Sequence, residues 1–153
     1  MRFKDKIVLI TGSAGGIGFK TALDFGNEGA IVAVTDIDFE MAKKLSNQII
    51  SNGGIAEPLQ LDVTNLEQTK NVFEVLNQKY GVCDIVFCNA GIREITPMLD
   101  LEFEDWKKVI DVNVNGVFLS AQTFAKNCVK HNKTGNIIIL SLIHISEPTR
   151  QCI

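Results

Sequence analysis

The chain's most telling chemistry lies in one short run near its start. Thr11-Gly12-Ser13-Ala14-Gly15-Gly16-Ile17-Gly18 follows directly on the apolar run Ile7-Val8-Leu9-Ile10 and precedes a helical pattern. A strand feeding a glycine loop that opens a helix is suited to a dinucleotide. Glycine lets the backbone turn tightly and approach a pyrophosphate, and the free N–H groups at the start of the helix then hold the phosphates. Gly12, Gly16, Ile17 and Gly18 are the candidate contacts. A triphosphate loop would need Gly-Lys-Ser/Thr at the helix start. Here Lys20-Thr21 follows Phe19, which argues against nucleotide triphosphate hydrolysis. Asp36 ends the next apolar run, roughly 20 residues after the loop, where a carboxylate can accept from the adenosine ribose hydroxyls and repel a 2′-phosphate. The glycine loop holds no Arg or Lys to attract that phosphate, so the balance favours NAD over NADP. Asp38 is the competing carboxylate, and either aspartate has a plainer role as a helix cap.

Alternating strand and helix patterns position these residues. Strands are expected at 6–11, 30–35, 56–61, 84–88 and 136–140. Helices are expected at 16–28, 38–52, from a capping box at Thr64-Asn65-Leu66-Glu67 to Tyr80-Gly81, in a short piece around 103–109, and at 112–130. Such alternation implies an α/β fold, a doubly wound parallel sheet of the Rossmann type with strand order 3-2-1-4-5. Pro58 puts the third strand at an edge. The domain is expected over residues 1–139, incomplete after the fifth strand, with 140–153 as a non-native tail.

Composition narrows the partners. A length of 153 residues suits one domain, and the net charge of −3 leaves no basic footprint for nucleic acid. No apolar run approaches the ~20 residues of a membrane span. The amino terminus runs into a strand without a signal-peptide core, which points to the cytoplasm. Cys83, Cys88, Cys128 and Cys152 show no C-x-x-C pairing, so no metal site is expected and buried free thiols are the default.

Three further segments share an order with a known family. Leu61-Asp62-Val63-Thr64 follows the third strand, and Cys88-Asn89-Ala90-Gly91 follows the fourth. Asp111-Val112-Asn113-Val114-Asn115-Gly116 opens the long helix. With Thr-Gly-x-x-x-Gly-x-Gly they make residues 5 to 139 resemble the short-chain dehydrogenase/reductase family. The resemblance implies that Asp62 lies beside the adenine ring, with Val63 also in the cofactor set. Asn89, Ala90 and Gly91 then bring the backbone against the nicotinamide ribose; Cys88 departs from the family's Asn-Asn-Ala-Gly. Asn113 becomes the proton-relay asparagine, whose backbone carbonyl orders a water near the catalytic lysine, while Asn115 has no assigned role. The family's long helix packs in a homo-oligomer interface, so a dimer or tetramer is expected.

The family's chemistry also needs a serine after the fifth strand and a Tyr-x-x-x-Lys about a dozen residues later. The one tyrosine is Tyr80, and Asp84 stands four residues on. Ser141 is the candidate serine, with Leu142 in the place of the second serine of the family's doublet. The run from Leu140 to Arg150 resembles a translated sequencing adapter, so His144, Glu147 and Cys152 carry no functional weight. The parent protein is read as an NAD-dependent oxidoreductase acting on an alcohol or ketone, and this chain as inactive. A non-catalytic NAD-binding regulator and an oligomerisation module are the alternatives.

Overall fold

The computed structural model describes residues 1–141. Five strands form one parallel sheet in the order β3-β2-β1-β4-β5: β1 (Ile7–Ile10), β2 (Ile31–Asp36), β3 (Ile55–Gln60), β4 (Ile85–Cys88) and β5 (Asn136–Ile139). Every pairing is parallel. The expected winding is therefore present, with Pro58 on the edge strand β3, where its missing N–H breaks no ladder.

β1 and β4 are buried along their whole length, as parallel strands covered on both faces must be. Alternate residues serve two cores. Ile7, Leu9, Val86 and Cys88 join Phe73, Leu76 and Phe124 on one face. Val8, Ile10, Val34 and Phe87 join Ala22, Leu45 and Ile49 on the other. The second face is covered by α1 (Gly16–Asn27) and α2 (Phe39–Ser51), the first by α3 (Leu66–Lys79) and α5 (Val117–Lys130). Gly26 permits close packing of α1 on α2, because a Cβ there would stand 2.7 Å from Ile49 Cγ2. Glycines end both helices: Gly29 and Gly53 take φ of +89° and +87° just past α1 and α2.

Two expectations need correction. The cap of α3 is Asn65, not Thr64: the Asn65 side chain accepts from the N–H groups of Glu67 (3.0 Å) and Gln68 (3.1 Å). Thr64 turns its hydroxyl back to the Asp62 carboxylate at 2.7 Å instead. The second correction concerns the long helix, which does not begin as a separate α-helix at Val112. α4 (Phe103–Ile110) runs without a break into a π-helical segment, Asp111–Gly116, and then into α5. Wide i→i+5 turns of this kind interrupt α-helices frequently at functional sites. No described helix is long and apolar enough to cross a membrane.

At the amino-terminal edge of the sheet, Asp84 ties three elements together. Its carboxylate accepts from the Ile7 N–H (2.9 Å) and pairs with Lys6 (3.3 Å) and Lys133 (3.1 Å). Burial pushes this carboxyl up, but the Ile7 amide, Lys133 and Lys6 outweigh it and hold the carboxyl below the usual aspartate value. A depressed folded value means that the stabilisation is complete above the ordinary pKa, about 3.9. It is lost as pH falls through the lower folded value. Asp84→Ala should cost about 1–3 kcal/mol at pH 7, since it also strands the buried Ile7 donor. Urea unfolding of both proteins should show that difference shrinking in strong acid.

Candidate functional site

The carboxyl ends of β1, β2 and β4 meet at one edge, where an open α/β sheet places its ligand crevice. Side chains at the strand ends stitch the loops together there. Thr11 is buried immediately after β1. Its hydroxyl oxygen accepts from the N–H groups of both Asn89 and Ala90, each at 3.0 Å. Asn89 returns the contact, its side-chain amide donating to the carbonyls of Thr11 (3.0 Å) and Gly12 (2.8 Å). The glycine loop and the Asn89-Ala90-Gly91 turn are thus one cross-linked unit.

Two glycines exist to allow that contact. A Cβ on Gly12 would lie 2.7 Å from the Ala90 Cα, and one on Gly18 would lie 2.6 Å from both Asn89 Nδ2 and the Gly12 oxygen. Gly15 and Gly16 behave differently. A Cβ on either meets nothing within 4 Å, so both face open space. Gly15 is also the N-cap of α1, with no side chain capping the helix and no acidic residue in its first turn. The amides and positive dipole end of α1 therefore open onto a cradle that fits an anionic group. Ile17 is exposed in this first turn.

Asp36 reaches over from β2. One carboxylate oxygen accepts from the Ala14 N–H (3.0 Å) and the other from the Asp38 N–H (3.1 Å). Each oxygen keeps a further lone pair for another donor. Asp38 is a helix cap, accepting from the Met41 N–H at 3.1 Å. Asp36, the carboxylate preferred from sequence because it lies nearer the strand end, thus faces the glycine loop, while Asp38 caps α2. Asp62 accepts from the Thr64 N–H (2.9 Å) as well as its hydroxyl, closing the loop after β3. The Val63 side chain is buried against Gly116.

Asn113 lies in the π segment, and its side chain grips the loop after β4 at both ends of one residue. It accepts from the Ile92 N–H at 2.9 Å and donates to the Ile92 carbonyl at 2.8 Å. Asn115 instead donates to Asp111 on the surface at 2.8 Å. Glu94 turns inward on its own loop, accepting from Ile95, from the Thr96 N–H and from the Thr96 hydroxyl at 2.7–2.9 Å. Ser141 follows Leu140, whose N–H donates to the Cys88 carbonyl at 3.1 Å, so it leaves β5 at this same edge. The Leu142 position and the rest of the tail lie outside the described residues.

Cys88 is buried in the sheet, and burial pushes its thiol up to about 11. Burial takes the Cys83 thiol up to about 12. Both are held protonated, as packing groups rather than nucleophiles. Among the described residues no His/Cys/Asp/Glu cluster has the geometry of a metal site. Sequence reasoning missed the hydroxyls. Besides Thr11, Thr35 donates to the Ile10 carbonyl (2.9 Å) and Ser13 to the Thr35 carbonyl (3.1 Å). The available signal was a hydroxyl residue in an apolar strand end, where burial demands a partner.

The sequence profile of the short chain dehydrogenase family matches residues 6–150. The 3-oxoacyl-[acyl-carrier-protein] reductase FabG of Thermotoga maritima is 38% identical over 143 residues, which is 94% of this chain and 58% of that protein. The uncharacterized oxidoreductase YohF of Escherichia coli is 35% identical over 144 residues, covering 94% of this chain and 57% of the relative. A crystal structure of a short-chain type dehydrogenase/reductase from Mycobacterium marinum superposes with a TM-score of 0.90 at 36% identity, over 97% of this chain and 61% of that one. The chain spans little more than half the length of these relatives. On fold, motif order and similarity together, the chain belongs to the short chain dehydrogenase family.

Proposed function

We propose that this chain is the NAD-binding part of an oxidoreductase that moves a hydride between nicotinamide and the carbon of an alcohol or ketone. Family membership implies a nicotinamide dinucleotide. The observation that carries the choice of NAD is Asp36, oriented by the Ala14 and Asp38 amides beside the glycine loop. The cofactor, when bound, supplies the hydride chemistry; the protein supplies binding and orientation. The amides of α1 hold the pyrophosphate, with Gly15 and Gly16 leaving it room. Asp36 takes the adenosine ribose hydroxyls, and Asp62 borders the adenine. Asn89, Ala90 and Gly91 form a wall for the nicotinamide ribose, held in place by Thr11 and Asn113. A ketone or alcohol substrate agrees with the 3-oxoacyl substrate in the name of the Thermotoga relative.

The wider setting is part of the same reading. Buried free thiols at Cys83, Cys88 and Cys128 suit a reducing cytoplasm. Phe103, Trp106, Val114 and Phe118 are exposed along the continuous helical stretch and support a homo-oligomer contact there.

Three outcomes test this reading. The chain should bind NADH more tightly than NADPH, because like charges at ~4 Å repel by about 1 kcal/mol even in bulk water and by more where water is thinned. Asp36→Ala should narrow the gap, and equal affinities in the unaltered chain would contradict the assignment. Gly16 has a φ of +53° and faces open space, so Gly16→Val brings both strain and bulk to the cradle. NADH titrations by calorimetry should show binding lost while circular dichroism stays close to the unaltered spectrum. Finally, the 153-residue chain has no Tyr-x-x-x-Lys pair. General acid–base help is worth roughly 10²–10⁴-fold. A panel of secondary alcohols should therefore give no measurable NAD reduction; robust turnover would mean that some other residue does the tyrosine's work.

A further inference from the structure

Gly116 closes the Asn113-Val114-Asn115-Gly116 segment, and the proposed function gives it no part. Its backbone is ordinary right-handed helix, with φ −61° and ψ −40°, so its conformation does not require glycine. Glycine is also a poor residue inside a helix. Its neighbour supplies the reason for it. A Cβ at this position would lie 2.5 Å from Val63 Cγ2 and 3.0 Å from Val63 Cβ. Only a residue without a side chain lets the π segment close on the loop after β3.

That loop is internally fixed. Asp62 accepts from both donors of Thr64, and the Asp62 N–H donates to the Gln68 side chain at 2.8 Å. A push on Val63 is therefore transmitted to Asp62 rather than absorbed by slack backbone. Three residues before Gly116, Asn113 holds both backbone groups of Ile92. One six-residue π segment thus contacts the loop after β3 through Gly116 and the loop after β4 through Asn113. Both contacts are made by this one segment in its wide-turn register, so the loops after β3 and β4 rest on a single stretch of helix.

We propose that Gly116 is a positioning residue for the adenine side of the site, acting through Val63, and that the π segment makes the loops on the adenine and nicotinamide sides move as one body. The inference rests on the dinucleotide reading above. ADP is the probe, because it carries the adenine half and has no nicotinamide to touch Ile92 directly. Calorimetry should show ADP bound about tenfold more weakly by Gly116→Ala. Adding Val63→Ala removes the methyl nearest the new Cβ, so the double variant should recover most of that loss. Thermal melts run alongside separate affinity from stability: a purely structural glycine would lower the melting temperature and leave the affinity of the folded protein unchanged. Unchanged ADP affinity in Gly116→Ala, or losses that simply add in the double variant, would overturn the proposal.

The unaltered chain gives a second test that needs no variant to fold. Saturating ADP should slow amide hydrogen exchange at Ile92 as well as at Ala14 and Thr64. Protection at Ala14 and Thr64 with none at Ile92 would overturn the coupling while leaving the dinucleotide reading intact. No ADP binding at all would overturn both.

Discussion

The site depends on one buried contact, the Thr11 hydroxyl that accepts from the N–H groups of Asn89 and Ala90. Parallel strands end with their loops pointing out of the same edge, and nothing in the ladder itself fixes one loop against another. Thr11 does so between β1 and β4, and the Asn89 amide closes the link from the other side. Gly12 and Gly18 follow as consequences, because any Cβ at either position would collide with the partners of this contact. β2 is joined by Thr35, Ser13 and Asp36. The result is a floor built from three strands and cross-linked by side chains at their ends.

The two ends of the sheet use polar groups in opposite ways. At the amino-terminal edge Asp84 is saturated by Ile7, Lys6 and Lys133. At the same edge, toward β3, the Glu57 carboxylate accepts from Tyr80 (2.9 Å) and Lys79 (2.6 Å). These are closed networks that hold elements together. At the carboxyl edge the α1 amides have no side-chain cap, the Gly15 and Gly16 positions face open space, and Asp36 retains acceptor capacity. Closed polar networks and polar groups open to a further partner are thus separated by the length of a strand.

Most of this fold was legible because its signals are local. The strand–loop–helix at 7–27, the apolar strands and the glycine stops each follow from short-range rules, and the strand order follows from alternation. The misplaced α3 cap shows where local rules tie. Thr64 and Asn65 are both competent caps, and the choice falls to Asn65 because Asp62 captures the Thr64 hydroxyl. The π segment was hidden for another reason. Apolar periodicity does not distinguish one wide turn from α-helix, and the contacts that accompany it, Gly116 with Val63 and Asn113 with Ile92, span 53 and 21 residues. The candidate site was legible as motifs but not as a structure. Sequence named Asp36, Asn89 and Asn113, yet the hydroxyl of Thr11 that ties the glycine loop to Asn89 reads on paper as one more strand residue.

On the proposed function, a dinucleotide lies across the carboxyl edge, from the Asp36 side past the start of α1 to Asn89-Ala90-Gly91. Amide chemical-shift mapping of the isotope-labelled 153-residue chain during an NADH titration tests it most directly. The largest shifts should fall at Ala14 to Ile17 and at Ala90 to Ile92, with the cleft around Lys6, Asp84 and Lys133 unmoved. Shifts centred on that opposite cleft, or confined to one of the two carboxyl-edge loops, would contradict it.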